Sequence, residues 1–178
     1  AVGARLRRSI RATDTLARLG ADEFALLLPV SSADTAAKVV AKLLSLLRRP
    51  FALGGREIFQ TISAGISMFP ANSGQPEELL RCADTALYVA KSQGRDSFRF
   101  YSPAMNEEAS ERLALETALR RSLTDGGFVL HYQARVDLSS GRITGVEALI
   151  RWHHPEFGML LPGRFLSVAK AAGLMPAI

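Results

Sequence analysis

Two adjacent carboxylates, Asp22 and Glu23, stand at the tip of an expected hairpin and have the residue types for metal chemistry. A short apolar run, residues 24–28, follows them and ends at Pro29, which is the pattern of a buried strand. Hard divalent cations prefer oxygen ligands, and neighbouring acids on one turn can reach the same ion. The pair therefore predicts a metal site, although an ordinary acidic turn has the same composition.

A carboxylate and a guanidinium recur at Glu147 and Arg151, within a run that predicts a strand over residues 143–151. Alternating side chains of a strand point to one face, so the two charged groups can look into one pocket. Such a pocket suits a phosphate and a metal ion. A simple ion pair between strands would need the same residues.

Two cations, Lys91 and Arg95, surround Gly94 at the end of a helix predicted over residues 76–92. Cationic side chains near a helix end can hold a polyanion through charge-assisted hydrogen bonds. Helices also commonly end with basic residues followed by glycine for purely structural reasons. The residue types alone leave both interpretations open.

The pattern Arg-x-x-Asp at Arg11 and Asp14 lies between a predicted helix and the first strand. A guanidinium can grip a phosphate or a guanine edge with two hydrogen bonds, and a carboxylate can accept from guanine N–H groups. The alternative is an arginine at a helix C-terminus followed by an aspartate in a turn.

These residues need a mixed framework of helices and strands to position them. Hydrophobic periodicity predicts helices over residues 1–12, 33–48, 76–92, 107–122 and 161–172, and strands over residues 15–19, 24–28, 51–53, 57–68, 97–101, 128–136 and 143–151. The buried side of the third helix is predicted to comprise Leu79, Leu80, Ala83, Leu87 and Ala90. Gly20 is expected to take the positive φ of a tight turn, which Ala21 adopts only at a cost.

Composition narrows the class of protein. The chain has 178 residues, 48% of them hydrophobic, which favours a packed core over disorder. Its net charge is +5, yet the basic residues are scattered and no aromatic platform accompanies them, so a nucleic-acid polymer is not the expected partner. The single Cys82 suits a reducing, cytoplasmic compartment. We expect membrane contact only through segments upstream of this sequence.

Two stretches carry a resemblance to known families. The stretch Arg18-Leu-Gly-Ala-Asp-Glu-Phe24 resembles the signature of GGDEF domains, which make cyclic di-GMP from two GTP. Residues 83–96 resemble a second GGDEF segment. The stretch Glu147-Ala-Leu-Ile-Arg-Trp152 resembles the signature of EAL domains, which hydrolyse cyclic di-GMP. The order is that of a tandem GGDEF–EAL protein of cyclic di-GMP signalling.

The resemblance implies an α/β (α+β) fold in three parts. Residues 1–101 would form a partial GGDEF domain, a nucleotidyl-cyclase-like mixed sheet with flanking helices in which residues 61–67 lie beside the strand 24–28. Residues 102–123 would form a linker helix. Residues 124–178 would supply the opening strands of a TIM-like EAL barrel, whose active residues sit at the carboxyl ends of its strands.

The resemblance also assigns roles to the residues singled out above. Asp22 and Glu23 would hold Mg²⁺ (or Mn²⁺), with Glu23 also catalytic, and Gly20, Lys91 and Arg95 would bind GTP. Arg11 and Asp14 would form the inhibitory site for cyclic di-GMP. In the EAL half, Glu147 would be a catalytic metal ligand, while Gln133 and Arg151 would hold the substrate. A homodimer through both domains is implied.

Departures from the families bear on activity. Ala21 replaces a glycine of the signature, and its methyl group takes room beside the substrate, so the cyclase is expected to be impaired. Further metal ligands of both families are expected in segments before Ala1 and after Ile178. This chain is therefore expected to be inactive and its parent to be a phosphodiesterase; the alternative is a catalytically silent module that binds cyclic di-GMP or GTP. The adjacent His153 and His154 diverge and are not expected to bind zinc.

Overall fold

Five α-helices and nine strands form in the computed structural model, which describes residues 1–178. In chain order they are α1 (Val2–Arg7), β1 (Thr15–Arg18), β2 (Phe24–Leu27), α2 (Ala33–Leu47), β3 (Phe51–Leu53), β4 (Arg56–Ile58), β5 (Ala64–Ile66), α3 (Pro76–Ser92), β6 (Phe98–Phe100), α4 (Ala104–Asp125), β7 (Phe128–Val136), β8 (Ile143–His154), β9 (Gly158–Leu160) and α5 (Pro162–Ala171). The chain divides into two units, Ala1–Asn106 and Glu107–Ile178. None of the helices has both the length and the apolar character to cross a bilayer.

Helix α2 organises the core of the first unit. The Ser32 side chain caps its start by accepting a hydrogen bond from the Thr35 N–H. Apolar residues recur at helical spacing along α2, and this side of the helix is buried. Leu43 and Leu47 join Leu6 of α1 and Phe51 of β3 in one cluster, against which residues of β1 and β2 also pack.

Two hairpins precede and follow this helix, as their turn residues predict. Strands β1 and β2 pair antiparallel with Arg18 opposite Phe24. Strands β3 and β4 also pair antiparallel, and Gly54 and Gly55 join them with φ values of 57° and 76°. Successive positive φ values suit a two-residue hairpin turn, because the turn's twist then matches that of the strands.

The long strand predicted over residues 57–68 is interrupted. Strand β4 ends at Ile58 and β5 begins only at Ala64, and β5 pairs in parallel with β6 rather than beside β2. The predicted neighbour of residues 61–67 was therefore wrong. The predicted strand is divided because its two parts pair with different strands: β4 pairs antiparallel with β3, and β5 pairs in parallel with β6.

Gly65 lets strand β5 lie directly on helix α3. A Cβ atom built on Gly65 would stand 1.9 Å from the Ala83 carbonyl oxygen and 2.3 Å from the Leu87 backbone nitrogen. The backbone of α3 meets Gly65 at Ala83 and Leu87, and the buried residues of the helix are Cys82, Ala86, Val89 and Ala90. The predicted side was partly wrong, since Leu80 is 49% exposed.

The second unit packs the antiparallel sheet β7–β8–β9 against α5 and the later turns of α4. Trp152 of β8 is fully buried at its centre, with ring centroids 6.0 Å from Phe128 and 5.6 Å from Phe165. Its indole N–H donates to the buried Ser122 hydroxyl at 2.9 Å. Helix α4 contributes Leu115 and Leu119 to this core. The sequence did not predict that α4 packs against the sheet.

Candidate functional site

The acidic pair Asp22 and Glu23 occupies the turn between β1 and β2, as predicted. Both side chains are exposed, and neither carboxylate has a hydrogen bond or ion pair. The Glu23 carbonyl oxygen closes the turn by accepting from the backbone N–H groups of Leu19 at 2.9 Å and Gly20 at 3.4 Å. The backbone thus fixes the turn while both carboxylates stay free to bind a cation.

Arg18, which begins the stretch that resembles the GGDEF signature, also holds this turn, and the sequence did not predict that role. Its guanidinium donates to the Gly20 carbonyl oxygen at 2.9 Å and to the Ala21 carbonyl oxygen at 2.8 Å. Neither Gly20 nor Ala21 has a positive φ, so the predicted left-handed turn was wrong. The Arg18 bonds satisfy these carbonyl groups in a turn that needs no left-handed residue. A Cβ atom on Gly20 would meet Glu23 Oε2 at 3.6 Å, an ordinary contact.

The donor chemistry of Asp22 and Glu23 fits a hard divalent cation, because both groups are unpaired carboxylates. Nowhere in residues 1–178 do three or more His, Cys, Asp or Glu side chains gather closely enough to hold a metal ion. The turn therefore offers two carboxylates and not a complete ligand set.

The two cations at the end of α3 are also unengaged. Lys91 lies in the last turn of the helix and Arg95 in the connection to β6; both are exposed and neither side chain has a hydrogen-bond or ion-pair partner. The Arg95 backbone is left-handed, with φ of 61°, and its N–H donates to the Ala90 carbonyl oxygen at 3.2 Å. Two unpaired cations near one helix end suit a phosphate chain.

Arg11 and Asp14 are brought together by their backbone rather than by an ion pair. The Arg11 backbone N–H donates to Asp14 Oδ2 at 2.8 Å, and the Asp14 N–H donates to the Arg11 carbonyl oxygen at 3.1 Å. Asp14 is 8% exposed, whereas the Arg11 guanidinium is exposed and has no partner. One carboxylate oxygen of Asp14 thus stabilises the turn that presents Arg11, and the inhibitory role stays a prediction.

In the second unit, the ladder between β7 and β8 sets Gln133 directly opposite Glu147 and Val129 opposite Arg151. Burial of Ile150 and Trp152 against the helices decides the orientation of β8, because alternate residues of a strand face opposite sides. Gln133, Glu147 and Arg151 therefore share the other face of the sheet. We call this trio the Glu147 face.

Two of the three side chains of the Glu147 face are exposed, and Arg151 is half-buried. Gln133 and Glu147 are exposed and have no hydrogen-bond partner, while the Arg151 guanidinium bonds to the Ile150 carbonyl oxygen at 2.8 Å. The resemblance implies that Glu147 lies toward the carboxyl end of its strand. Strand β8 instead continues to His154, so Glu147 lies in the middle of the strand. The strand is longer because β9 pairs with residues 152–154.

His154 closes the loop between β8 and β9. Its ring Nδ1 accepts the backbone N–H groups of Glu156 and Phe157, each at 3.1 Å, and the side chain is 7% exposed. The ring stacks on Phe157 with centroids 4.6 Å apart. No metal-binding group forms around it, and its contacts are those of a residue that shapes the loop.

The turn at Asp137, between β7 and β8, predicts a pH effect. Hydrogen bonds from the hydroxyl groups of Ser139 and Ser140, and from the Ser140 backbone N–H at 2.7 Å, lower the pKa of Asp137 from 3.8 to about 2. Because the pKa is lowered in the folded chain, the ionised carboxylate stabilises the turn at pH values above the ordinary pKa of 3.8. This contribution is lost as the pH falls through about 2.

A carboxyl-carbon NMR titration of Asp137 checks this prediction. We expect a midpoint near 2 in the wild type and a higher one, toward 3.8, when Ser139 and Ser140 are replaced by alanine. An unchanged midpoint in that variant would show that the hydroxyl groups are not the cause.

Comparison with known proteins matches both halves of the chain. The family model for the diguanylate cyclase GGDEF domain matches residues 1–97, and that for the EAL domain matches residues 116–178. The bifunctional diguanylate cyclase/cyclic di-GMP phosphodiesterase MucR of Pseudomonas aeruginosa is 41% identical over 99% of the chain, which covers 26% of MucR. The cyclic di-GMP phosphodiesterase PdeR of Escherichia coli is 38% identical over 90% of the chain, which covers 24% of PdeR. The chain thus spans about a quarter of these relatives.

Two solved structures also resemble the chain, with sequence identities of 33% and 39%. The GGDEF domain of TpbB (YfiN) from Pseudomonas aeruginosa has a TM-score of 0.58 and 33% identity, with 61% of this chain and 64% of that chain covered. An EAL/GGDEF domain protein from M. capsulatus has a TM-score of 0.51 and 39% identity, with 57% and 66% covered.

Proposed function

The chain belongs to the GGDEF–EAL tandem family, and on that premise we propose that its full-length protein hydrolyses cyclic di-GMP through the EAL half. The observation that carries the proposal is the Glu147 face, where a carboxylate, an amide and a guanidinium share one open side of a sheet. That combination matches a substrate with two phosphodiester groups and guanine edges. Similarity to MucR and PdeR supports the same substrate.

Each residue of the face has a role that its chemistry supports. The Arg151 guanidinium holds a phosphate through charge-assisted hydrogen bonds, and the Gln133 amide donates to or accepts from the ligand. The Glu147 carboxylate would be one ligand of a divalent ion, Mg²⁺ or Mn²⁺. Such an ion, when bound, lowers the pKa of water and offsets charge on the phosphate.

Turnover by the full-length protein tests the proposal. Incubation with cyclic di-GMP and Mg²⁺ or Mn²⁺ is expected to give the linear dinucleotide, since water opens one of the two phosphodiester bonds. A chelator should stop the reaction. Absence of linear product with either ion would contradict the proposed activity.

For the GGDEF half we propose GTP as the ligand, with Asp22 and Glu23 as metal ligands and Glu23 acting in catalysis. Lys91 and Arg95 bind the triphosphate, and the Gly20 backbone lies along the substrate. Condensation of two GTP molecules needs two such halves, which implies a homodimer, and GTP supply implies a cytoplasmic site. Support comes from the unpaired state of both carboxylates and both cations. We propose that the isolated chain is inactive, because no three candidate ligands gather in it.

Replacing Ala21 with glycine tests whether the methyl group limits the cyclase. We expect the full-length variant to form cyclic di-GMP from GTP about tenfold faster, because a small displacement of bound substrate has large kinetic effects. The backbone at Ala21 lacks positive φ, so the expected gain comes from room rather than from relief of strain. Ala17→Gly, on exposed β1 of the same hairpin, is the control. Equal rates for Ala21→Gly and wild type would remove the methyl group as a cause.

The second candidate function is a silent regulatory module that binds cyclic di-GMP at Arg11 and Asp14. It is favoured by the exposed, unpaired Arg11 guanidinium on a turn that Asp14 fixes. Calorimetry of the full-length protein with cyclic di-GMP is expected to show, beside any binding at the Glu147 face, a separate binding event that Arg11→Ala weakens at least about tenfold, as loss of a charge-assisted hydrogen bond predicts. Binding that is unchanged by Arg11→Ala would eliminate this site.

A further inference from the structure

The connection from α3 to β6 has an unusual backbone. Gly94, Arg95 and Asp96 have φ values of 119°, 61° and 49°, so three successive residues lie on the left-handed side of the backbone map. Glycine takes such values freely and aspartate tolerates them, but arginine has no compensating side-chain bond of its own. Arg95 is therefore held in this conformation by its neighbours.

Arg48, at the end of α2, holds the neighbouring residue. Its Nε donates to both carboxylate oxygens of Asp96, at 3.0 and 2.9 Å, and its Nη2 donates to the Asp96 carbonyl oxygen at 3.2 Å. One guanidinium thus binds both the side chain and the backbone of a residue 48 positions away. A second contact, from Arg99 to the Gln93 side chain at 2.7 Å, fixes the other end of the connection.

Stability alone is a poor explanation for this arrangement. The Arg48 and Asp96 side chains are 53% and 34% exposed, and exposed ion pairs contribute little to folding. What the contact does achieve is geometric: it determines the backbone direction beside Arg95, whose own side chain remains unpaired.

We propose that Arg48 and Asp96 are positioning residues that aim the Arg95 guanidinium at the phosphates of the nucleotide. The inference rests on the proposed function of Arg95 as a triphosphate-binding residue. Arg48 acts through Asp96 and the left-handed backbone, without touching the ligand. Without Arg48, the Arg95 guanidinium is no longer aimed at the phosphates. The loss of phosphate affinity on removal of Arg48 therefore cannot exceed the loss on removal of Arg95 itself.

A double-mutant cycle in the full-length protein tests this proposal, with GTP as the probe in calorimetry. Arg95→Ala is expected to weaken GTP binding at least about tenfold, as loss of a charge-assisted bond predicts. Arg48→Ala is expected to weaken it about fivefold, and the double variant should bind no more weakly than Arg95→Ala, because coupled residues are not additive. Lys38→Ala removes the same charge from an exposed position on α2 and should leave GTP affinity unchanged.

The outcomes separate two kinds of failure. Unchanged affinity in Arg95→Ala would overturn the phosphate role of Arg95 and the positioning role with it. A tenfold loss in Arg95→Ala combined with wild-type affinity in Arg48→Ala, or with fully additive losses, would overturn the positioning role alone. Asp96→Asn provides a second variant if Arg48→Ala folds poorly. It is compared with Asp96→Ala, which removes both carboxylate contacts with Arg48. Asparagine accepts the left-handed backbone and one hydrogen bond from Arg48, so GTP affinity should fall less in Asp96→Asn than in Asp96→Ala. Wild-type affinity in Asp96→Ala would overturn the positioning role.

Discussion

Glu147→Gln is expected to lower the turnover of cyclic di-GMP by the full-length protein by at least about a hundredfold, because a neutral amide is a much weaker ligand for a divalent ion. Substrate affinity should change far less, since the Arg151 guanidinium and the Gln133 amide remain on the same face. Glutamine has the size of glutamate, and position 147 is exposed, so the fold should be preserved. Steady-state kinetics of linear dinucleotide formation measures the effect.

Glu156→Gln is the matched control for this variant. Glu156 is an exposed acid of the same unit whose backbone N–H, rather than its carboxylate, serves the loop at His154. The control is expected to turn over substrate at the wild-type rate. Similar rates for Glu147→Gln and Glu156→Gln would mean that Glu147 is not part of the reaction.

Among the glycine-to-alanine substitutions in the first unit, Gly65→Ala should lower the free energy of unfolding most. The added carbon would stand 1.9 Å from the Ala83 carbonyl oxygen, and the obstacle is backbone, which no side-chain rotation can relieve. Helix α3 would have to move away from β5, so we expect a loss of about 3 kcal/mol or more in the free energy of unfolding. Urea denaturation of the chain, followed by far-ultraviolet circular dichroism, measures it.

Gly74→Ala supplies the comparison for Gly65→Ala. Gly74 lies in the same unit, lacks a positive φ, and has no atom within 4 Å of the added Cβ position. Its replacement should leave stability within about 1 kcal/mol of wild type, with any gain coming from the unfolded state. If the two variants unfolded at the same urea concentration, the close packing of β5 on α3 would be disproved.

Local sequence patterns predict much of this fold. The apolar spacing of α2, the serine that caps it and the paired glycines of the β3–β4 hairpin each act within a few residues, so each can be identified from the sequence. Partners that are distant in sequence do not follow from such patterns. The parallel pairing of β5 with β6, and the close approach of the α3 backbone to Gly65, depend on contacts that no local period encodes.

The same distinction holds for the candidate sites. Acidic residues on a turn and alternating residues on a strand could be predicted, because both follow from neighbouring positions. The alignment of Gln133 with Glu147 could not, since the register across the hairpin decides it and the burial of Trp152 decides which face is open. Arg18 and Arg48 were also missed, because each acts through carbonyl groups whose positions appear only in the folded chain.

The most direct test of the central claim is a crystal structure of the full-length Glu147→Gln variant grown with cyclic di-GMP. The account predicts a phosphate of the ligand within hydrogen-bond distance of the Arg151 guanidinium, on the side of the sheet that carries positions 133 and 147. A ligand seated instead on the side that carries Leu130 and Tyr132, or a crystal in which the Glu147 face is covered by protein, would contradict it.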